Sequence, residues 1–247
     1  MPRPDPPCQA HGVVVPAPCT VRWAAPVDPV AAPGLVALLD AHERARLDRF
    51  RRDADRARYL AAHALARIVL GELLDVRPAA VGIDRSCRCG EQHGKPVVCG
   101  TVAPGFSLTH AGDVVGVAVW PDGPVGLDIE RMRPMADLTA MVRHVCSPAE
   151  IVRADPVTPA RFFATWTRKE ALLKSTGDGL SAPMAAITLD GPRVEAWSGE
   201  HAPAGPTWLR DLRPAPGYAA ALAGAGPVPP EVAELRGDDL LRTAAVH

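Results

Sequence analysis

Two stretches of the chain repeat their apolar residues at helical spacing. In the first, residues 35–74, Leu65, Val69 and Leu73 lie four apart, which places their side chains on one face of a helix. The second, FFATWTRKEALLKSTG at 162–177, ends at a glycine, as helices often do. We therefore predict one long helical region in each half of the chain.

Shorter apolar runs bounded by turn residues predict strands. They lie at 21–27, at the two ends of the 81–98 segment with a turn-rich loop between them, at 106–120 as two strands joined at 111–113, and at 185–190, 193–197 and 217–225. Short helices are predicted over 135–145 and 147–153, the second opened by Ser147 with Glu150 three residues on, a capping-box pattern. The tail from Pro227 is polar and interrupted by prolines, so we expect it to be loosely held.

The order of these elements predicts a mixed α+β (α/β) fold. Each half runs through helices into short strands, and DVVGVAVW (113–120) and GYAAALAG (217–224) occupy comparable places in the two halves. This hints at a duplicated unit. We expect two similar α+β subdomains related by pseudo-two-fold symmetry, one over residues 1–124 and one over 125–247.

Composition narrows the class of protein. The chain has 247 residues, a net charge of -1 and 47% hydrophobic residues, which indicates a globular protein and argues against a nucleic-acid or membrane-surface binder. No apolar stretch approaches the ~20 residues of a membrane span, and the Pro-rich start lacks the apolar core of a secretory signal. We expect a cytoplasmic protein, whose six irregularly spaced cysteines are free thiols.

The segment VGLDIE at 125–130 carries the first candidate chemistry. In a strand, Gly126, Asp128 and Glu130 share one face, so two carboxylates lie side by side next to a residue without a side chain. Like charges this close repel unless a proton, a cation or a basic side chain neutralises them. Acids that cap a turn at a strand end are the simpler interpretation of this segment alone.

The helix at 162–177 offers a partner for these acids. Trp166, Glu170 and Lys174 lie four apart and form a stripe along one face. Alone, Glu170 and Lys174 could be an ordinary surface ion pair. If Glu170 faces the two strand acids, three carboxylates suit a hard cation such as Mg²⁺, which is usually shared with substrate phosphates. Lys174 could then meet a phosphate oxygen.

Further cationic groups complete an inventory for holding a polyphosphate. Lys95 sits in the Gly-Lys-Pro turn 94–96, and His110 precedes a small-residue turn. Taken singly, each has a simpler interpretation, as a loop lysine and a histidine with partners in the core. Arginines are dense upstream, at positions 44, 46, 49, 51, 52, 56 and 58.

Four motifs together resemble the successive signatures of the Sfp-type 4'-phosphopantetheinyl transferases. They are GKP (94–96), FSLTH (106–110), VGLDIE (125–130) and F-x-x-x-W-T-R-K-E-A-L-L-K-x-x-G-x-G-L (162–180). The resemblance implies an enzyme that moves the phosphopantetheine arm of coenzyme A to a serine of an apo acyl, polyketide or peptidyl carrier protein and releases 3',5'-ADP. It implies an active site at the interface of two subdomains, and two fused halves favour a monomer. The amino-acid composition, rich in residues that GC-rich codons encode, suggests a role in a secondary-metabolite pathway.

The resemblance also implies roles for the acids and for Lys174. Asp128 and Glu170 would bind Mg²⁺, with Glu130 completing the site directly or through water. Glu170 is the candidate base for the serine proton, and Lys174 would stabilise the pyrophosphate.

For coenzyme A itself, the resemblance implies contacts from both halves of the chain. His110 would join Lys174 at the pyrophosphate, with Thr109 in place of the serine that the family often has there, and Lys95 would hold the nucleotide end. The candidates for the 3'-phosphate are Arg46, Arg51 and Arg58. Some members have lysines where this chain has Glu43 and Arg46. This departure affects the predicted contact with the 3'-phosphate. Lys169 and Trp166 are expected to be mainly structural, with a position near the phosphates as the alternative for Lys169. Glu150 is expected to lie near the coenzyme A site.

Other interpretations stay open. A Mg²⁺-dependent nucleotide pyrophosphatase would use the same acids and lysines to activate water and would consume coenzyme A without a carrier protein. A non-catalytic module would bind coenzyme A or a carrier protein without transfer. Separately, Cys87, Cys89, His93 and Cys99 could form a small zinc site, although their spacing is unusual for one.

Overall fold

The computed structural model describes residues 17–86, 94–100, 103–153, 157–177 and 182–246. Within these ranges the strands are β1 (Cys19–Ala24), β2 (Ile83–Asp84), β3 (Val97–Val98), β4 (Gly105–Ala111), β5 (Val114–Trp120), β6 (Val125–Arg131), β7 (Ile187–Asp190), β8 (Arg193–Trp197), β9 (Thr207–Leu212), β10 (Tyr218–Ala225) and β11 (Val232–Arg236). The helices are α1 (Pro33–Leu38), α2 (Ala41–Asp48), α3 (Asp53–Leu74), α4 (Leu138–Val145), α5 (Pro148–Arg153), α6 (Pro159–Thr176) and α7 (Asp238–Ala245).

Two sheets form the centre of the molecule. The first has the order β11-β1-β5-β4 and is antiparallel except for the parallel pair β1 and β11. The second has the order β6-β10-β9 and is antiparallel. Two small hairpins, β2-β3 and β7-β8, lie outside these sheets.

The sheets and the two long helices stack in four layers. Helix α3 covers the outer face of the first sheet, where Leu60 and Leu65 share a core with Val117. Helix α6 covers the outer face of the second sheet and forms a second core with it. A third core, between the two sheets, includes Trp23 and Leu127. Burial of apolar side chains on both faces of each sheet holds the layers together.

The sequence explains where α6 begins and ends. The Thr158 side chain accepts a hydrogen bond from the backbone N–H of Arg161, and Pro159 opens the first turn, both favourable at a helix N-terminus. Gly177 ends the helix with a φ of 91°, a left-handed conformation that favours glycine. These two signals set the first and last residues of α6.

Side-chain hydroxyls join the two sheets where their edge strands β4 and β6 meet. The Leu127 N–H donates to Ser107 Oγ at 3.0 Å, and the Ile129 N–H donates to Thr109 Oγ1 at 3.2 Å. We call this junction the seam. It brings the end of β4, which carries His110, beside the acids of β6.

Most of the predicted elements are confirmed, including the mixed α+β class and the capping box, in which Ser147 and Glu150 bond each other's backbone N–H. The region 35–74 forms three helices. Strand β9 was not predicted. The division into two similar subdomains at residue 124 stays a prediction.

The prediction of a loosely held tail is wrong. Strand β11 pairs with β1, and Leu241 of α7 is buried in the core beneath α3. Leu240, Leu241 and Ala244 have helical spacing, which the prolines before them obscured. The last described residues therefore pack on the first sheet, although they follow the second sheet in sequence.

No helix in the described part of the chain is long and apolar enough to cross a membrane.

Candidate active site at the seam

The predicted acids meet between β6 and α6. Asp128 and Glu130 are on the face of β6 that Gly126 shares, and this face lies against α6, which carries Glu170 and Lys174. A Cβ on Gly126 would lie 2.0 Å from the Ala171 carbonyl oxygen. Only glycine lets the helix approach the strand this closely.

Lys174 contacts the deepest acid directly. Its Nζ lies 2.7 Å from Asp128 Oδ1 and 3.0 Å from the Leu127 carbonyl oxygen. Thr109 Oγ1 donates to the same Asp128 oxygen at 3.4 Å. The other oxygen, Asp128 Oδ2, is buried and has no hydrogen-bond partner in the described part of the chain. The carboxylate is therefore held through Oδ1, while Oδ2 is left without a hydrogen-bond partner among the described residues.

The three acids influence one another's protonation. Burial raises the pKa of Asp128, although Lys174 acts in the opposite direction. Burial and then the charge of Asp128 raise the pKa of Glu130 and of Glu170. The opposing basic groups are Lys174 and, 3.3 Å from Glu130, the guanidinium of Arg133. A group that adds positive charge here would relieve this repulsion.

Carboxylate oxygens are the ligands that Mg²⁺ prefers, and Asp128 Oδ2, which has no partner among the described residues, fits that preference. As the side chains stand, no three His, Cys, Asp or Glu residues in the described ranges converge closely enough to hold a metal ion. The ammonium group of Lys174 lies against Asp128 instead. The magnesium site therefore stays a prediction.

Arg58 and His110 border the acids at the end of β4. His110 is partly exposed, and its pKa is lowered by partial burial of the ring and then by the nearby charges of Arg58, Lys174 and His63. Arg58, on α3, donates to the Gly112 carbonyl oxygen at 3.0 Å and pairs with Asp55. The structure thus brings Arg58 and His110 together near Lys174.

Arg46 and Arg51 lie farther along the same helical layer. Both are exposed, and the Arg46 guanidinium is 5.5 Å from the centre of the Phe50 ring. Their contact with a 3'-phosphate stays a prediction. Glu43 does not belong to this exposed surface, because its side chain is fully buried and bonded to Arg67 and Arg85. Its presence therefore leaves the exposed cationic surface unchanged.

Lys95 reaches the seam from another direction. Its Nζ donates to the Ser175 carbonyl oxygen at 3.0 Å and to the Val125 carbonyl oxygen at 3.3 Å. Burial lowers its pKa to about 8. The amine joins the 94–96 turn to the end of α6 and the start of β6, while its predicted contact with the nucleotide end of coenzyme A stays a prediction.

Lys169 is structural, as expected. Its buried Nζ lies 2.6 Å from Glu150 Oε2 and also donates to the carbonyl oxygens of Val145, Met184 and Ile187. Glu150 was expected near the coenzyme A site, and that location stays a prediction. Its carboxylate also accepts the N–H groups of Ser147 and Leu189, so it is buried within the second half of the molecule.

Two contributions were not predicted from the sequence. Ser107 holds the backbone of β6 in the seam, and the spacing of Ser107 and Thr109 on one face of a strand could have indicated this. Arg85 is the second; its role depends on contacts between distant segments. Of the proposed zinc ligands, Cys87, Cys89 and His93 lie outside the described residues, and Cys99 is an exposed free thiol.

Comparison with known proteins identifies the class. A family model described as the 4'-phosphopantetheinyl transferase superfamily matches residues 124–223. The chain is 33% identical over 214 residues to the 4'-phosphopantetheinyl transferase HetI of Nostoc sp. PCC 7120, covering 83% of this chain and 86% of HetI. It is 27% identical over 207 residues to the 4'-phosphopantetheinyl transferase ffp of Bacillus subtilis, covering 80% and 87% of the two chains. The chain belongs to the 4'-phosphopantetheinyl transferase superfamily, which confirms the resemblance seen in its motifs.

Proposed function

We propose that this protein transfers the 4'-phosphopantetheine group of coenzyme A to a serine of an apo carrier protein and releases 3',5'-ADP. The supporting observation is the arrangement at the seam, where Lys174 and Asp128 lie beside Glu130 and Glu170. Asp128 Oδ2 is buried and has no hydrogen-bond partner among the described residues. Cleavage of a pyrophosphate depends mainly on charge neutralisation and positioning. The seam offers groups for both.

Asp128, Glu130 and Glu170 would hold Mg²⁺. When bound, the ion would neutralise charge on the pyrophosphate. Thr109 orients Asp128 through the hydrogen bond between their side chains. Lys174 and Arg58 form the cationic side of the site and would hold the phosphate oxygens. A ring nitrogen of His110 would donate a hydrogen bond to the same oxygens.

The nucleophile comes from the carrier protein, so the enzyme needs no nucleophilic serine or cysteine of its own. The serine oxygen forms a bond to the phosphorus of the pantetheine side, and the bond from that phosphorus to the bridging oxygen of the nucleotide breaks. Glu170 is the candidate base for the serine proton, as the family resemblance implies. The electron pair of the broken bond leaves with 3',5'-ADP.

The rest of coenzyme A would lie along the helical layer of the first half. Arg46 and Arg51 would contact the 3'-phosphate, and Lys95 the nucleotide end. We propose a cytoplasmic monomer that acts on acyl, polyketide or peptidyl carrier proteins.

Intact-protein mass spectrometry of an apo carrier protein incubated with this chain, coenzyme A and Mg²⁺ tests the proposal. We expect a mass increase of one phosphopantetheine that EDTA abolishes. The Asp128→Ala and Glu170→Ala variants should lose the transfer but remain folded. Consumption of coenzyme A without a carrier protein would instead support a pyrophosphatase, and binding without turnover would support a non-catalytic module.

A further inference from the structure

Residues 81–86 and 94–98, which we call the arm, carry the β2-β3 pair and bridge two layers of the molecule. Neither end of the arm is held by apolar packing alone. Each end is fixed by a cationic side chain that reaches into a neighbouring layer.

The first end is fixed by Arg85. Its Nη2 lies 2.5 Å from Glu43 Oε1, and its Nη1 lies 3.1 Å from Asp40 Oδ2. Arg67 of α3 contacts the same two acids at 2.5 and 2.6 Å. Two acids and two guanidinium groups thus balance one another, and burial and hydrogen bonding fix their geometry.

The second end is fixed by Lys95. The Gly94 N–H donates to the Arg85 carbonyl oxygen at 2.8 Å, so the two anchoring residues are linked through one backbone hydrogen bond. Lys95 then bonds the carbonyl oxygen of Ser175, the residue after Lys174. A continuous series of polar contacts therefore connects α2 with the end of α6.

We propose that Arg85 is a positioning residue for coenzyme A binding. By fixing the arm to Glu43, it sets the position of α2 and of Lys95 relative to Lys174. The inference rests on the proposed function, because α2 and Lys95 carry the candidate nucleotide contacts and Lys174 the pyrophosphate contact. Arg85 itself touches none of the reacting groups.

The test compares steady-state kinetics of the Arg85→Met variant with those of the wild type, at a temperature where circular dichroism shows both folded. We expect the KM for coenzyme A to rise about tenfold, since weakened positioning affects binding more than the chemical step. The kcat and the KM for the carrier protein should change less than about threefold. The KM for coenzyme A of Arg85→Lys should lie between the values of the wild type and Arg85→Met, because an ammonium group cannot reproduce the forked contact of a guanidinium group.

Two controls separate positioning from general destabilisation. Arg193→Met removes a guanidinium from an exposed pair with Asp190 and should leave all constants unchanged. Leu189→Ala disturbs the core of the other half and should lower the melting temperature without raising the KM for coenzyme A. If Arg85→Met fails to fold, the double variant Arg85→Met/Glu43→Gln removes both charges of the Arg85–Glu43 pair and takes its place.

An unchanged KM for coenzyme A in the folded variant would overturn the proposal, as would an equal rise in Leu189→Ala. Calorimetric titration with coenzyme A separates this result from a failure of the proposed function. If the wild type binds coenzyme A but transfers nothing, the proposed function fails, and a tenfold weaker affinity in Arg85→Met still supports the role of Arg85. If the wild type does not bind coenzyme A, both fail.

Discussion

Replacement of Gly126 by alanine is the sharpest test of the contact that forms the site. The added Cβ would lie 2.0 Å from the Ala171 carbonyl oxygen and 2.5 Å from the Ser175 backbone nitrogen. Both are backbone atoms of α6, so no side-chain rotation relieves the clash. The helix must move away from β6 by about an ångström.

The size of this movement sets the expected effects. Overpacking of a well-packed core costs about 1–3 kcal/mol, and a clash with backbone places Gly126→Ala near the upper end, at about 3 kcal/mol of unfolding free energy. For a chain of this length, that corresponds to a melting temperature lower by roughly 6–12 °C. Because α6 carries Glu170 and Lys174 while β6 carries Asp128, a displacement of about 1 Å should also lower the transfer rate about 100-fold.

Thermal unfolding and carrier-protein transfer, measured on the same preparation, check both numbers. Gly205→Ala is the matched control, because no described heavy atom lies within 4 Å of the Cβ it would add and its φ is not left-handed. That variant should stay within about 0.5 kcal/mol of the wild type and keep full activity. If Gly126→Ala melted within 2 °C of the wild type (roughly 1 kcal/mol or less) and transferred normally, the close contact of α6 with β6 would be refuted.

Three lysines give further predictions. Lys174→Met should abolish transfer. In the absence of coenzyme A, this variant should bind Mn²⁺ more tightly than the wild type, since the ammonium group no longer neutralises Asp128. Calorimetry showing weaker Mn²⁺ binding would contradict this. Burial lowers the pKa of Lys95 from 10.5 to about 8, so between these pH values the unfolded chain binds more protons and the unfolding free energy rises with pH. Urea titrations at pH 8 and pH 10 should show a smaller rise of the unfolding free energy in Lys95→Met than in the wild type. Equal rises in the two proteins would exclude the lowered pKa of Lys95. Lys169→Met leaves the Glu150 carboxylate buried without its counter-ion and should cost about 3–5 kcal/mol in urea unfolding. Adding Glu150→Gln should recover part of that loss, and no recovery would argue against the pair.

The site acids were predictable because their geometry is local. Alternation along a strand places Asp128 and Glu130 on one face, and a spacing of four places Glu170 and Lys174 on one face of a helix. Their meeting across β6 and α6 is a tertiary contact. The resemblance to a family, more than the pattern of the residues, supported that part of the prediction.

Other features depended on contacts that sequence spacing does not encode. From the sequence, Glu43 is one more charge on a solvated helix. In the structure it is buried against Arg67 and Arg85, which lie 24 and 42 residues farther along the chain. Glu150 likewise reads as a capping residue, and its pairing with Lys169 depends on the packing of α5 against α6. In both cases the partner, and not the residue itself, decides the role.

The parallel pair of β1 and β11 has a consequence for how the molecule is made. Cys19 is paired with Val232, so the first sheet joins residues from opposite ends of the described chain. Contacts this distant in sequence form slowly, because a long loop must close before they are gained. On the ribosome, β1 therefore emerges early, pairs with β5 along one edge and keeps the other edge open until residues 232–236 have been synthesised. The first sheet, most of whose residues are made early, is completed only after the second sheet.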